Sequence, residues 1–385
     1  MDVCELGDAL WNTPEPGFRE VETHRILSEA FRDDGFTVHE FGEFPGFIAG
    51  TSETPENSRL LLIADMDALP NPEAADGSYI HSCGHHMQMA VLYGAASALK
   101  KKNFPALDQI GFLAVPAEEF IDFDIRNKLK NEGKIEFLSG KLELLNRGFF
   151  DKAEYVVSTH AAGVKSPKYI NSVLNMSGFK IMNFKFHGRA THAGATPHLG
   201  HNAQNSGALF LQACAFLRET FNEAAHIRIH PIMKLLPDQS VNLIPASAIV
   251  ETYVRAASLE EVNTTVDKLR AAAEGCASSL GCTVEIQTEA GYLPFKADLN
   301  LHELARKTAK KMGVDFTEED FSAASSDVGD ISAIKPTIML GLPGANGMFH
   351  NPGFRITDRE IAYRFSSEYT AEYLENIFRE LIHSS

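Results

Sequence analysis

The chain has 385 residues, of which 44% are hydrophobic, and it carries a formal net charge of −16 with a pI near 5.4. This length exceeds that of one typical domain, so we expect two domains. The acidic balance argues against a nucleic-acid partner, because binding to phosphates depends on clustered Lys and Arg.

The N-terminal segment and the cysteines bear on location. "MDVCELGDALWNTPEPGF" has neither the basic start nor the apolar core of a signal peptide. No apolar run reaches the ~18 residues of a membrane span. The cysteines are odd in number and scattered, which is not the pattern of a disulfide framework: Cys4, Cys83, Cys214, Cys276 and Cys282. We therefore expect a cytoplasmic protein with no membrane partner.

Helical patterns alternate with short apolar runs in the first part of the chain. "THRILSEAFRDDGF" predicts a helix, "RLLLIADMDALP" a strand from Leu60 to Ala64, and Met87 to Lys102 the next helix. Further strands are predicted in "IGFLAVPAEEF", in "AEYVVSTHAAG" and, near the C-terminus, in "TIMLGLPGANGMFHNPGF". Continuously apolar strands that alternate with helices are typical of an α/β sheet covered on both faces.

The pattern changes between about Asn175 and Thr288. Strand, helix, strand, helix and strand follow one another in "FKIMNFKFHGRA", "NAQNSGALFLQACAFLRETF", "IPASAIVETYVRA", "LEEVNTTVDKLRAAAEGCASSL" and "CTVEIQT". They make a compact α+β unit of roughly a hundred residues, a normal domain size. The sequence thus predicts a discontinuous first domain, 1–174 and 289–385, interrupted by an inserted domain, 175–288.

Each of the four predicted strands of the first domain leads to an acid or a histidine: Asp65 and Asp67, Glu118 and Glu119, His160, and His350. In such sheets the functional crevice lies beyond the carboxyl ends of the strands. Cys83 and His85 are expected at the same edge, at the start of a helix whose positive dipole end lowers the pKa of a thiol. Any one of these residues is explained equally well as a cap or a turn, but the set predicts a metal site.

Several motifs occur together and in a recognisable order: "WNTPEPGFREVETHRIL", "ADMDALP", "SCGHHMQMAVLYGAA", "VPAEEF", "STHAAG", "GRATHAGATPHLGHNA", "PDQSVNLIP" and "FHNPGF". With them the chain resembles the M20 metallopeptidases, specifically the amidohydrolase branch with its aminoacylase-like and amino-acid-conjugate hydrolases. The resemblance covers most of the chain. It implies a metal-dependent exopeptidase-like α/β sheet covered by helices, with an inserted α+β domain that serves as a lid and in dimerisation.

Carried over to this sequence, the resemblance implies that one or two divalent ions are held by Cys83, His85, Glu119, His160 and His350. Glu118 would be the general base, because one carboxylate of the pair is occupied by the metal and the other stays free to take a proton from a water molecule. A mixed set of Cys, His and Glu ligands suits Zn, Mn, Co or Ni.

Two positions depart from the family pattern. His86 stands where the branch usually has an Asp, and it is interpreted as a residue that supports a ligand, a substitute ligand or a pocket wall, with the first favoured. Asp65 stands where other branches have a ligating His, and Cys83 is expected to compensate. Asp67 is the better candidate for a carboxylate that orients a ligand imidazole.

Three residues of the inserted domain resemble functional residues of the family. His192, in "GRATHAGATPH", resembles a histidine that stabilises the oxyanion, in many members that of the partner subunit. Asn242 and Arg255 resemble groups that bind a substrate carboxylate, for which the guanidinium fork is suited. The resemblance therefore implies a homodimer, with the choice between action in the same subunit and in the partner left open.

The leading hypothesis is a hydrolase that cleaves an amide bond next to a free carboxylate, as in a small N-acyl amino acid, an amino-acid conjugate or a dipeptide. The alternative is a catalytically silent metal-binding or ligand-binding protein on the same fold, which only the His86 departure favours. "SSDVGDIS" from Ser325 resembles the aminobenzoyl-glutamate and β-alanyl dipeptide hydrolase-like members, although a turn and a helix cap explain it equally well.

Overall fold

The structure, a computed structural model, describes residues 1–162, 169–234, 236 and 240–382. Within these ranges the helices are α1 (Val3–Trp11), α2 (Val21–Asp33), α3 (His85–Lys101), α4 (Phe123–Asn131), α5 (Gly140–Asn146), α6 (Ala203–Leu217), α7 (Leu259–Ser279), α8 (Leu299–Lys311), α9 (Val328–Ser332) and α10 (Ser366–Ile377). Two π-helical turns, Glu360–Phe365 and Phe378–Ile382, extend α10 at both ends.

The described strands are β1 (Thr37–Glu40), β2 (Phe47–Gly50), β3 (Leu60–Asp65), β4 (Leu69–Pro70), β5 (Tyr79–Ile80), β6 (Ile110–Val115), β7 (Tyr155–Ala161), β8 (Tyr169–Val173), β9 (Asn175–Met176), β10 (Gly178–His187), β11 (Arg228–Ile229), β12 (Ile232–Lys234), β13 (Ser247–Ala256), β14 (Thr283–Ala290), β15 (Phe295–Lys296), β16 (Asp315–Glu319), β17 (Thr337–Leu342), β18 (Ala345–Asn346) and β19 (Arg355–Ile356).

The chain divides into two compact units. The first unit comprises Met1–Leu174, Lys296–Phe321 and Asp330–Ser385, and the second comprises Asn175–Phe295 and Ser322–Gly329. The second unit thus differs from the predicted insertion, because it reaches beyond 288 and takes in 322–329. The amide of Ser177 donates to the carbonyls of Ser322 and Ala324, at 3.2 and 3.0 Å, and so ties this distant segment to the start of the second unit.

An eight-stranded sheet forms the centre of the first unit, in the order β1-β2-β6-β3-β7-β17-β8-β16. Its four middle strands, β6, β3, β7 and β17, are mutually parallel. All residues of β3 and β6 are buried, which explains their unbroken apolar sequences. The predicted α/β sheet is confirmed, and the carboxyl ends of the four strands lie at one edge.

Helix α3 is buried along almost its whole length and packs against α1 and α10. It is apolar nearly all round, as is typical of a helix enclosed on every side. Gly94 makes the close approach to α10 possible, because a Cβ at this position would lie 2.6 Å from Cβ of Ser367.

Two histidines, His81 and His86, are buried at or just before the start of α3. The ring of His86 lies edge-on to that of Trp11, with centroids 4.7 Å apart, and 5.3 Å from the ring of His81. Burial lowers the pKa of His81 to about 3, and burial is also the main cause that lowers the pKa of His86 well below its ordinary value. Both imidazoles are therefore neutral in the folded protein at neutral pH.

The second unit has a sheet of its own, in which β11, β13, β10 and β14 are neighbours and β12 also pairs with β13. Buried and half-buried residues alternate along the whole of β13, as expected for a sheet with one face on the core. Helices α6 and α7 pack on each other and on these strands. The strands and helices predicted for this part of the chain are thus present.

We predict that Gly94→Ala lowers stability by about 1–3 kcal/mol, because the added methyl group forces α3 and α10 apart. Gly275→Ala is the matched control: it also lies within a helix, α7, but nothing lies within 4 Å of the added Cβ. That variant should gain roughly 0.5–1 kcal/mol from the lower flexibility of the unfolded chain. Scanning calorimetry would measure both, and equal shifts in the two variants would contradict the close-packing argument.

A second prediction concerns acid stability. The unfolded chain takes up protons on His81 and His86 near pH 6.5, whereas folded His81 does so only at about pH 3. The contribution of these two histidines to the free energy of unfolding is thus fully present above pH 6.5, and it is lost as the pH falls from 6.5 toward 3. In chelator-treated protein, the free energy of unfolding should fall less between pH 7 and 5 in His86→Leu than in wild type, by at most about 2 kcal/mol. Denaturant titrations can follow the fluorescence of Trp11, the single tryptophan of the chain. Equal losses in the two proteins would show that His86 is not held neutral by the fold.

Candidate metal centre

The predicted acids and histidines of the first unit come together at the carboxyl edge of the sheet. Three overlapping groups have potential ligand atoms within 4.8 Å of one another: Cys83, His85 and His160; Cys83, Glu119 and His350; and His85, Glu118 and Glu119. Gly84 permits the sharp entry into α3, since its φ is +82° and a Cβ there would lie 2.9 Å from Ala161. All six side chains predicted to form the site are therefore neighbours.

Two atoms of this cluster indicate that the residues present fit a divalent cation. Among the described residues, Nε2 of His85 and Oε1 of Glu119 are buried without a hydrogen-bond partner. The latter lies 3.4 Å from Nε2 of His350. Buried polar atoms without partners are rare in proteins. Within a group of sulfur, nitrogen and oxygen donors, they are the atoms that a metal ion would satisfy.

Asp67 connects the two halves of the cluster. Its Oδ1 lies 3.1 Å from Nδ1 of His85, and its Oδ2 accepts from the amide of Glu119 at 2.9 Å. Burial alone would raise the pKa of Asp67, but the hydrogen bond and charge of His85 outweigh it and lower this pKa. With Nδ1 engaged, Nε2 is the free nitrogen of His85, an arrangement typical of ligating histidines.

The pKa of Cys83 differs from expectation. The helix start was expected to lower it, but burial and the nearby carboxylate of Glu119 raise the pKa of Cys83 well above its ordinary value. The thiol lies 3.5 Å from Nε2 of His160. Without a cation, therefore, the proton stays on sulfur, and binding as a thiolate releases it.

His160 and His350 approach the cluster from different surroundings. Burial and the charge of His85 lower the pKa of His160 to about 4, which keeps the imidazole neutral as a ligand must be. Its Nδ1 lies 2.9 Å from the carbonyl of Ala161, and the ring of Phe349 lies edge-on at 5.0 Å. His350 has the left-handed backbone conformation, with φ of +59°. Non-glycine residues in this conformation are uncommon, and they cluster at functional sites.

The two adjacent glutamates differ in exposure. Glu119 is buried, and burial raises the pKa of its carboxyl, whereas Glu118 is half-buried. One carboxylate of the pair is thus enclosed in the cluster, and the other is accessible to solvent.

Asp65 has a partner that the sequence analysis missed. Its carboxylate pairs with the ammonium of Lys141, which is fully buried at the start of α5. The only signal in the sequence is the position of the lysine, because a cation in the first turn of a helix is electrostatically unfavourable unless an anion compensates. Asp65 belongs to none of the three candidate metal groups of the described residues.

The placement of His86 does not match the favoured interpretation. Both ring nitrogens are buried without a hydrogen-bond partner in the described part of the chain, so His86 makes no supporting hydrogen bond to a ligand. It lies instead against Trp11, His81 and Tyr363. The reason is its place at the start of α3, on the face that meets α1.

In the second unit, His192 and Asn242 lie on adjacent loop segments. The amide of Ala193 donates to the carbonyl of Asn242 at 2.8 Å. Nδ1 of the exposed His192 accepts from the amides of Gly194 and Ala195, at 3.1 and 3.0 Å. Since Nδ1 acts as an acceptor, the proton of the neutral ring is on Nε2, which is left as a hydrogen-bond donor.

Arg255 lies on β13, apart from these loops in the sequence. Its guanidinium carbon lies 4.6 Å from the ring centroid of Tyr253 and 5.4 Å from that of Phe179. Nη1 makes a long contact, 3.5 Å, with the carbonyl of Ala323, and Nε is buried without a partner among the described residues. The guanidinium is thus oriented by aromatic rings and retains donors for an anion.

Comparison with known proteins adds to this geometry. Residues 61–374 match the model of peptidase family M20/M25/M40. The chain is 25% identical to Xaa-Arg dipeptidase of Mus musculus, over 86% of this chain and 74% of that protein. It is 23% identical to N-acetyl-L-cysteine deacetylase of Bacillus subtilis, over 90% of this chain and 82% of that protein.

Among solved structures, a dinuclear metal-binding peptidase of the M20 family from Bacillus subtilis superposes with a TM-score of 0.77, at 19% identity, with 98% of each chain covered. No described helix is long and apolar enough to cross a membrane. Because the family model spans most of the chain, this protein belongs to peptidase family M20/M25/M40 and is a hydrolase that acts on amide bonds.

Proposed function

We propose that the protein hydrolyses an amide bond next to a free carboxylate, in a small N-acyl amino acid, an amino-acid conjugate or a dipeptide. The observation that carries the proposal is the cluster of ligand atoms around the Asp67-oriented His85. The two relatives described above, a dipeptidase and a deacetylase of an acylated amino acid, support the same substrate class. His86 alone favoured a catalytically silent protein. Its ring packs on Trp11 of α1, so it takes the place of none of the five proposed ligands.

In this proposal the ion or ions are held by Cys83, His85, Glu119, His160 and His350. When bound, a divalent cation polarises the scissile carbonyl and brings the pKa of a water molecule to around 7. Zn, Mn, Co and Ni all suit these donors, and availability in the cell often decides among them.

The five cysteines are free thiols, which agrees with a reducing compartment such as the cytoplasm.

Glu118 is proposed as the general base. Its half-buried carboxylate takes the proton of the attacking water and then delivers it to the leaving nitrogen, so that one residue serves both proton transfers. Glu119, buried and next to it, is then the ligand of the pair.

The second unit supplies the remaining groups of the proposal. Nε2 of His192 donates to the oxygen of the scissile carbonyl as negative charge develops there. Arg255 and Asn242 bind the substrate carboxylate, for which the free donors of the guanidinium are suited. The working unit is proposed to be a homodimer.

The proposed roles of the two glutamates are separable. Glu118→Gln should reduce kcat about 10²–10⁴-fold with metal content unchanged, because only proton transfer is lost. Glu119→Gln should lower the metal content itself. The assay is hydrolysis of a panel of N-acyl amino acids and dipeptides with added Mn²⁺, Zn²⁺ or Co²⁺, together with elemental analysis.

The matched control is Glu143→Gln, since Glu143 is a buried carboxylate that binds Arg147 and lies outside the candidate metal groups of the described residues. It should keep both metal and activity. Equal metal loss in the Glu118 and Glu119 variants would refute the division of roles, and a metal-loaded wild type that is inactive on the whole panel would refute the substrate class.

His192→Ala should lower kcat about 10²–10³-fold, the usual cost of one oxyanion donor. His198→Ala, a change to an exposed histidine of the same segment, should have no such effect. Mixing inactive His192→Ala and Glu118→Gln chains shows whether His192 acts in its own subunit or on the partner. We expect activity to return after subunit exchange, because each mixed dimer has one complete site if His192 acts on the partner. A fully active monomer in sedimentation would rule this arrangement out.

A further inference from the structure

The turn that carries Glu118 and Glu119 has an unusual backbone. Ala117, the residue before Glu118, has φ of +59°, and Asp122, at the start of α4, has φ of +55°. Non-glycine residues rarely adopt this left-handed conformation, and they keep it only where the surroundings over-determine it. Something must therefore hold the turn in place.

Arg126, on α4, hydrogen-bonds to this turn through all three nitrogens of its guanidinium group. Its side chain is buried, with 1% exposed. The guanidinium donates to four backbone carbonyls: those of Ile121 at 2.6 Å and Ala117 at 3.2 Å, and those of Glu119 and Leu138. It also lies over the rings of Phe18 and Phe120, at 5.5 and 5.7 Å. A buried cation thus has hydrogen bonds on all three nitrogens, and three of its acceptors belong to residues 117–121.

The amide groups of the same turn are held by buried carboxylates. Oε1 of Glu20 accepts from the amide of Ala117 at 2.8 Å, and Oδ2 of Asp67 accepts from the amide of Glu119 at 2.9 Å. Gly17 closes the remaining side, since a Cβ there would lie 2.9 Å from Cα of Ala117. Ala117 and Glu119, the two neighbours of Glu118 in the chain, thus bond through both N–H and C=O to buried side chains. Two of these side chains, Asp67 and Arg126, are charged, and hydrogen bonds to charged groups are the stronger class.

We propose that Arg126 is a positioning residue that fixes the Glu118–Glu119 turn in its reactive geometry. The proposal rests on the function proposed above for these glutamates. Without the guanidinium, the carbonyls of Ala117, Glu119 and Ile121 lose their common partner, and Ala117 is free to relax toward an ordinary conformation. A shift of about 1 Å in a catalytic group costs around 10²-fold in rate.

The test compares three variants of the metal-loaded protein. Arg126→Met removes the donors and keeps most of the volume. Arg126→Lys keeps the charge but offers three donors on one nitrogen, too few and too close together for four carbonyls. Arg147→Met is the matched control, because Arg147 also makes several bonds, to Glu43, Glu143 and the carbonyl of Lys134, but none to residues 117–121.

Three quantities are measured: kcat and KM, metal content, and amide hydrogen exchange of peptides from 112–122 and from α10. For Arg126→Met we expect kcat about 10–100-fold lower with KM changed less than about threefold. Exchange should be faster in 112–122 and unchanged in α10. Arg126→Lys should lie between this variant and wild type in both kcat and exchange, and Arg147→Met should match wild type in 112–122.

The proposal is overturned if Arg126→Met has the same kcat and the same amide exchange in 112–122 as wild type. It is also overturned if the loss of activity is fully explained by the fraction of unfolded protein. If Arg126→Met does not fold, Arg126→Lys decides: wild-type values there would overturn the proposal, and intermediate values would support it. Failure of the proposed function gives a different result, because Glu118→Gln would then keep its turnover. The hydrogen-exchange measurement on Arg126→Met would still show whether Arg126 holds the turn.

Discussion

The site depends on a single buried carboxylate, that of Asp67. Its two oxygens have different partners, the imidazole of His85 at the start of α3 and the amide of Glu119 after β6. Asp67, two residues beyond β3, thereby holds together the start of α3 and the turn after β6, which are distant in the sequence. A neutral amide has a single acceptor oxygen, so its side chain could not accept from both the ring and the backbone amide, and Nδ1 of His85 would keep only the backbone carbonyl of residue 67, which lies 2.9 Å away.

Around Asp67 the protein encloses several groups that are anionic when ionised. Burial and the charge of Asp67 raise the pKa of Glu20 well above its ordinary value, and burial raises those of Glu119 and Cys83. Groups so close together and so poorly solvated bind their protons more tightly than they do in water. Binding of a cation is therefore coupled to proton release, and the folded chain gains stability when it is loaded.

The elements that follow from hydrophobic periodicity were predictable from the sequence. The unbroken apolar runs of β3 and β6 are buried strands, and the alternation in β13 is that of a sheet with one covered face. Convergence of Glu119, His160 and the start of α3 followed from the rule that parallel strands place their carboxyl ends at one edge.

What could not be predicted depends on side chains that reach across the fold. Lys141 and Arg126 lie in polar-looking helical segments, and nothing in their spacing shows that both are buried against the turns beside the cluster. The raised pKa of Cys83 was missed for the same reason, because the helix dipole can be read from the sequence but the depth of burial cannot. The position of His86 follows from the packing of α1 on α3, a tertiary contact with no local signal.

The pair formed by Lys141 and Asp65 has a consequence for formal charge at the site. Because the ammonium neutralises Asp65, this carboxylate contributes no net charge toward a bound ion. The thiolate of Cys83 and the carboxylate of Glu119 together balance one divalent ion, and the ionised carboxylates of Glu118 and Asp67 balance a second. A doubly loaded centre would then be close to neutral on a protein of net charge −16, so that an anionic amide would meet less repulsion at this edge of the sheet than at the rest of the surface.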